Sequence, residues 1–219
     1  MSEIPIPEGL IEEPIDHAVD IIGVTFATDP FQRFCCVEEM KEAGTKDVPL
    51  DVNKAIFRMI ITGLVENGGR CITVANSGIS SVWTLDPVRD EYQANPAHPP
   101  VVHEMNTIAH SIRRANTPPS ATHCLHLALL GNDRSHPSND PSRNAKASDV
   151  MRPVMAMARE KGWPVMLEAT SPLGRDIYLH LGFQNLSDIH VGKGQCDADG
   201  RVKEGGEGMS LWVMMYTGN

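Results

Sequence analysis

Apolar residues recur at helical spacing through 15–28 (IDHAVDIIGVTFAT), where Ile15, Ala18, Val19, Ile22 and Phe26 share one face. Asp29-Pro30 closes that helix, because the residue before a proline avoids the helical region. A second helix is predicted over 51–66, with Asp51 as its cap, Ile56, Met59, Ile60 and Leu64 as its stripe, and Gly68-Gly69 as its stop. RCITVAN (70–76) and ISSVWTL (79–85) read as strands of an antiparallel hairpin turning at Ser77-Gly78. A Pro/Asp/Asn-rich loop, 86–100, leads to a helix over 101–115. THCLHLALLG (122–131) is a near-continuous apolar run, the pattern of a strand buried on both faces. The polar stretch 132–146 reads as a loop long enough to be functional or mobile. A helix over 148–161, a strand at 164–168, a helix carrying Tyr178 and a strand over 183–192 follow. A flexible turn (195–208) and a closing strand (209–216) complete the chain.

This order predicts an α/β (α+β) fold: a mixed central sheet flanked by helices, in a single domain over 15–219. The strand–helix–strand unit from 122 to 168 favours parallel pairing, whereas the ends favour hairpins. Residues 1–14 are acidic and proline-rich, and read as a poorly ordered arm with neither the basic start nor the apolar core of a signal peptide.

Composition narrows the function classes. No apolar run approaches the roughly 20 residues that span a bilayer. A net charge of -9, with Arg113-Arg114 as the nearest approach to a basic patch, argues against a nucleic-acid partner. Five cysteines without CxxC spacing point to reduced thiols in a cytoplasmic setting. The loop residues Asp133, His136 and Asp140 lack metal-ligand spacing, so no metal is expected.

The stretch EATSPLGRDIYLHLGF (168–183) has a clear local logic. Thr170 or Ser171 caps a helix that Pro172 opens, and Leu173, Ile177 and Leu181 form its expected buried stripe. Gly182 suits the left-handed residue that ends it. Tyr178 falls at the stripe's edge, one turn above Gly174, where it is either packing or a phenol held at a reaction centre. LHLALLG, the helix DVMRPVMAMA, MLEATS and IYLHLGF, in this order, resemble the GNAT superfamily of N-acyltransferases, and its fungal-type members in particular. The DPF at 29–31 and the final WVMMY strand add to the likeness.

That resemblance implies a V-shaped gap where strands 123–131 and 164–168 part, with acetyl-CoA as co-substrate along Leu129 and Leu130. It implies a pyrophosphate site at the loop opening the next helix, where an exposed helix N-terminus is an anion site in any fold. The corresponding residues are Ser142, Ala145 and Ala147, or, one residue along, Arg143, Lys146 and Ser148, with Ser171 across the gap. Neither register contains the glycines of the family's Q/R-x-x-G-x-G/A pattern. The resemblance also makes Tyr178 the acid for the leaving thiolate.

Around this centre, His126 is a base for the acceptor or a hydrogen-bonded sheet histidine, and Glu168 is a base or a strand-end residue. Phe31, Phe34 and Trp83 line an acceptor pocket or belong to the core. The expected activity is acyl-CoA-dependent N-acetylation of a small-molecule amine, by a monomer or homodimer with no membrane partner. Two alternatives remain: a GNAT-fold cyclase, isomerase or decarboxylase that no longer uses CoA, and a non-catalytic ligand-binding module.

Overall fold

The helical and strand patterns resolve into thirteen elements: β1 (Ile11–Glu12), α1 (Ile15–Thr25), α2 (Pro30–Met40), α3 (Leu50–Glu66), β2 (Arg70–Thr73), β3 (Ile79–Pro87), α4 (Pro100–Asn116), β4 (His123–Asn132), α5 (Ala147–Glu160), β5 (Val165–Ala169), α6 (Pro172–His180), β6 (Gln184–Val191) and β7 (Met209–Tyr216). They come from a computed structural model that describes residues 3–40, 48–88, 96 and 98–218. The strands form one seven-stranded sheet in the order β1-β2-β3-β4-β5-β7-β6. Only β4 and β5 pair in parallel; the other neighbours are antiparallel.

Strand alternation divides the core between the two faces. Leu125, Leu127, Val165, Leu167, Trp212 and Met214 meet Val150, Met151 and Val154 of α5 on one face. On the other, Cys71 and Val82 meet α1 and α3, while Ile189, Val191, Leu211 and Val213 meet Phe34 of α2 and Val101 and Ala109 of α4. Gly131 lets α1 approach β4 closely: a Cβ there would press on Ile21 and Ile22 at 3.1 Å. All five cysteines are free and buried. No helix among the described residues is long and apolar enough to cross a membrane.

Several expectations are corrected. The arm is not loose: Ile4 and Leu10 are buried in the α5-side core, and Ile11 and Glu12 add an edge strand to β2. Arg70 fixes it further by pairing with Glu3 and Glu12. Asp29-Pro30 begins a helix as well as ending one, since the Asp29 carboxylate accepts the Gln32 N–H (3.0 Å) at the start of α2. In α3 the inward stripe is Asn53, Phe57 and Ile61, Met59 is 65% exposed, and Asp51 sits in the first turn rather than capping it. The loop after β4 is pinned to the β2–β3 turn by Asp133 N–H to the Gly78 carbonyl (2.7 Å) and Asp140 N–H to the Asn76 carbonyl (3.1 Å). The turn 195–208 is likewise held, by Arg33 donating to the Asp199 carbonyl (2.5 Å). Most of the loop 86–100 lies outside the described residues.

Ile4 is 1% exposed, so Ile4→Ala should lower unfolding stability by roughly 2 to 4 kcal/mol. Chemical denaturation measures this; an unchanged midpoint would mean the arm does not pack.

Candidate active site

β4 and β5 stay in register for two residue pairs, Leu125 with Val165 and His126 with Met166. Beyond them the strands part. On its other edge β4 remains paired with β3 to Asn132, with Ala128 as an extra residue where the register shifts between Val82 and Trp83. The turn joining α1 to α2 ties the two open ends together. At one end Asn132 N–H donates to Thr25 Oγ1 (3.0 Å); at the other Thr170 Oγ1 donates to Asp29 Oδ2 (2.5 Å). Burial pushes the Asp29 carboxyl up, against the opposing pull of Thr170 and the α2 amides.

At the vertex, on the α1–α4 side of the sheet, four charged or titratable side chains meet. His126 Nε2 lies 2.9 Å from Glu168 Oε2, and its Nδ1 is 3.7 Å from Asp86 Oδ2. Arg113 of α4 reaches down with Nε 3.4 Å from Glu168 Oε1 and Nη1 4.0 Å from Asp86 Oδ2. Glu168 is 8% exposed. Burial alone would raise its pKa, but Arg113 and His126 together override that and hold it at about 2. An ionised Glu168 fixes the neutral imidazole as the Nε2–H tautomer, so the lone pair sits on Nδ1. Among the described residues, Glu168 Oε1 accepts no hydrogen bond despite its burial. An acceptor oxygen in that state is an unmet demand for a donor.

Tyr178 approaches from the other face. α6 is rotated from its expected setting: Leu173 is 72% and Ile177 41% exposed, while Leu181 is buried. Tyr178 is therefore central to the inward side, packed against the α5-side core with its ring 5.7 Å from Phe183. A large aromatic buries more apolar area than either aliphatic neighbour, which sets the helix rotation. Gly174 is not needed to clear Tyr178: a Cβ there would meet the Tyr178 ring only at 3.9 Å, an ordinary contact, and would press instead on Ser171 Oγ at 3.1 Å. Burial pushes the phenol above its ordinary value of 10, so it keeps its proton. Ser171 caps α6, its Oγ accepting the Gly174 N–H (3.1 Å), and Gly182 takes the left-handed φ of +95° that ends it.

Among solved structures, the chain is similar to the C-terminal condensation domain of Ebony in complex with beta-alanyl-dopamine, with a TM-score of 0.60, 16% identity, and 94% of this chain and 97% of that one covered. It is also similar to the Drosophila melanogaster polyamine N-acetyltransferase (TM-score 0.54, 16% identity, 95% and 98% covered). A third is the arylalkylamine N-acetyltransferase 2 of Aedes aegypti (TM-score 0.53, 10% identity, 96% and 98% covered). The chain has the GNAT fold. An uncharacterised protein of Saccharomyces cerevisiae is 20% identical over 203 residues, 91% of this chain and 82% of that protein. No family model matches the chain.

The loop before α5 is the segment without the glycines of the resembled pattern. Asn144 adopts a left-handed φ of +45° in the segment that lacks glycines. Asparagine is one of the few residues that enters this region readily. Lys146 is the N-cap of α5, and the amides of Ala147 and Ser148 carry no hydrogen bond among the described residues. Arg143 is directed elsewhere, donating to the Ala75 carbonyl. The Asp149 carboxylate accepts the Lys146 N–H (2.9 Å). Ala145 packs against the α5-side core. Leu129 and Leu130 lie beyond the vertex on opposite faces, Leu129 toward α1 and α3, Leu130 toward α5.

Phe31 and Trp83 do not share a pocket. Trp83 is fully buried under α5 with its Nε1–H bonded to Ser81 Oγ (2.8 Å), whereas Phe31 packs against the α2–α4 core on the opposite face. Phe34 is core as well. Odd and even positions of a strand face opposite sides, so Trp83 follows Ile79 to the α5 side while Val82 faces α1 and α3. Sequence reasoning missed Arg113, Asp86, Asp29 and Thr170. Arg113 carried a signal, being one of two adjacent arginines late in an amphipathic helix.

The Glu168 pairing has a measurable pH signature. Its folded value of about 2 lies below the ordinary 4.5, so its ion pairs contribute on the order of 3 kcal/mol above about pH 4.5 and lose it as pH falls toward 2. Glu168→Gln should therefore flatten the decline in denaturation midpoint across that window. An identical acid slope in both proteins would show that Arg113 and His126 do not hold the carboxylate.

Proposed function

We propose that this protein transfers an acyl group, acetyl in the simplest case, from acyl-CoA to the nitrogen of a small-molecule amine by direct attack. What supports the reading is the His126–Glu168 pair on one face of the sheet, beside the parted strands, together with the protonated Tyr178 on the other face. The names of the structural neighbours, which refer to polyamines and arylalkylamines, favour a small amine as acceptor.

Acetyl-CoA supplies the activated acyl group; the parted strands and the free amides of Ala147 and Ser148 suit its pantetheine and pyrophosphate. Lys146 adds charge beside those amides. An amine entering as its ammonium is drawn to the cluster of Asp86 and Glu168, whose two negative charges exceed the single one of Arg113. His126 Nδ1 takes the ammonium proton, and Glu168 steadies the imidazolium that results. A new C–N bond replaces the thioester C–S bond, edge amides of β4 beyond the vertex bear the charge on the carbonyl oxygen, Tyr178 gives its proton to the sulfur, and the nitrogen's second proton leaves to water as the amide forms. Solvent then restores both protonation states. A cytosolic setting suits the five free thiols.

A second reading keeps the cavity but loses CoA. Asp149, with its negative charge over the first turn of α5, and the absence of glycine before it favour that alternative. Calorimetric titration of acetyl-CoA decides between them. Micromolar binding, weakened at least tenfold by Lys146→Glu, is expected, and no binding at millimolar concentration would sink the acyltransfer reading. With turnover followed by thiol release, Tyr178→Phe should reduce kcat by roughly 100-fold or more. Because burial raises the phenol, wild-type kcat should show no loss from its ionisation below pH ~10.

A further inference from the structure

A second constellation of polar side chains lies away from the vertex, where the loop after β4 runs beside α1. Glu13, just before α1, pairs through Oε2 with Nδ1 of His17, one turn further on. The other ring nitrogen, Nε2, is 2.9 Å from Ser138 Oγ in the loop. Ser80 Oγ of β3 donates to Glu13 Oε1 (2.6 Å), so both carboxylate oxygens are held. The Glu13 side chain is buried, that of His17 is 24% exposed, and Ser138 is half-buried. A hydroxyl, an imidazole and a buried carboxylate thus stand in sequence, running inward from the surface.

Holding the loop does not require them. Its flanks are already fixed to the β2–β3 turn by the amides of Asp133 and Asp140. A buried carboxylate also carries a desolvation cost that an apolar contact would avoid. Burial indeed pushes the Glu13 carboxyl up, against the pull of Ser80 and His17. The hydrogens can be assigned as well. With Glu13 ionised and the Nδ1 hydrogen directed at it, neutral His17 presents its Nε2 lone pair to Ser138. Ser138 Oγ has one hydrogen and three neighbours: His17 Nε2, His136 Nδ1 at 2.7 Å and the Ser77 carbonyl at 3.1 Å. The His136 ring stands edge-on to that of His17, their centroids 5.0 Å apart. With its proton on Nδ1, His136 donates to Oγ, and the hydroxyl hydrogen is left for His17, nearer than the carbonyl.

We propose that Ser138 is a nucleophile with His17 as its base and Glu13 orienting the imidazole, and that its substrates are activated acyl esters. Such a set is recognised by geometry and roles, in any chain order. The site is separate from the vertex and does not rest on the acyl-CoA reading. Ser138 Oγ bonds to the ester carbonyl carbon as Nε2 takes its proton. The C–O bond to the leaving alcohol then breaks, and Nε2 returns the proton to that oxygen. Water next gives a proton to Nε2 and its oxygen to the acyl carbon; the bond to Oγ breaks, and the proton returns to Ser138. The Ser138 N–H, 3.2 Å from His136 Nδ1, is released toward the oxyanion when that nitrogen donates to Oγ. With that one donor, the reaction is confined to esters with good leaving groups.

Labelling of the full chain with an alkyl fluorophosphonate, mapped by peptide mass spectrometry, tests the assignment without any CoA. Oγ displaces fluoride from phosphorus, and the proton leaves with the fluoride. Wild type should carry the phosphonyl group on Ser138, and His17→Gln should slow that labelling by roughly 100-fold or more. Hydrolysis of p-nitrophenyl acetate should fall by a similar factor in His17→Gln and in Ser138→Ala. Wild type without label on Ser138, or an equal rate in a folded His17→Gln, overturns the proposal. The wild-type result decides even if a variant does not fold, because an unassisted serine does not react with the probe. Failure here leaves acyl transfer at the vertex standing, and failure of acetyl-CoA to bind leaves Ser138 standing.

Discussion

Two parallel strands that pair over only two residues and then separate leave unpaired backbone in the middle of a sheet. Buried N–H and C=O groups without partners are costly, so such an opening persists only where other elements fix its width. Here the α1–α2 turn does so, holding Asn132 at the end of β4 and Thr170 at the end of β5. The same turn starts α2, because Asp29 accepts from both Thr170 and the Gln32 amide. The start of α2, and with it Arg33, on which the 195–208 turn is seated, follows from that one carboxylate.

The vertex needs a second balance. A carboxylate as buried as Glu168 would ordinarily take up a proton, and a neutral acid would not hold His126 as its Nε2–H tautomer. Arg113 prevents this from α4, an element remote in sequence, by an ion pair at 3.4 Å. Its geometry is close enough for charge and too poorly aligned for a hydrogen bond, which leaves Oε1 available. A better-aligned arginine would satisfy the carboxylate and leave it less attraction for any further donor. The site is stabilised short of saturation.

Most of the architecture was legible because it rests on local rules. The hairpin at Ser77-Gly78, the parallel β4–β5 unit, the Ser171 cap and the Gly182 stop all appear where spacing and turn chemistry put them. What was not legible depends on distant partners. The arm looked loose because proline and acidic residues dominate it, yet Ile4 and Leu10 suffice to bury it once a core edge is present. The α6 stripe misled because Leu173, Ile177 and Leu181 satisfy a helical spacing that the partly buried Tyr178 outweighs. Of the site, Tyr178, His126 and Glu168 were named in advance, and the structure joins the latter two at 2.9 Å. Arg113 and Asp86 were not, since nothing within α4 or β3 specifies that they converge.

The glycine-poor loop before α5 shows how a motif and its physical function come apart. Glycine serves a phosphate loop in two ways: it reaches left-handed φ without strain, and it lets backbone amides approach a bulky anion. Asn144 supplies the first at a φ of +45°, and the unbonded amides of Ala147 and Ser148 preserve the second in part. Neither substitute matches the pattern as text. The opposing feature is Asp149, whose carboxylate holds the Lys146 amide and places negative charge where an anion would rest. A ligand phosphate must compete with that charge, while Lys146 offsets it from the same turn. The loop therefore retains the shape of an anion site with a weakened field, so its affinity for an anion depends on the balance between two side chains more than on the missing glycines.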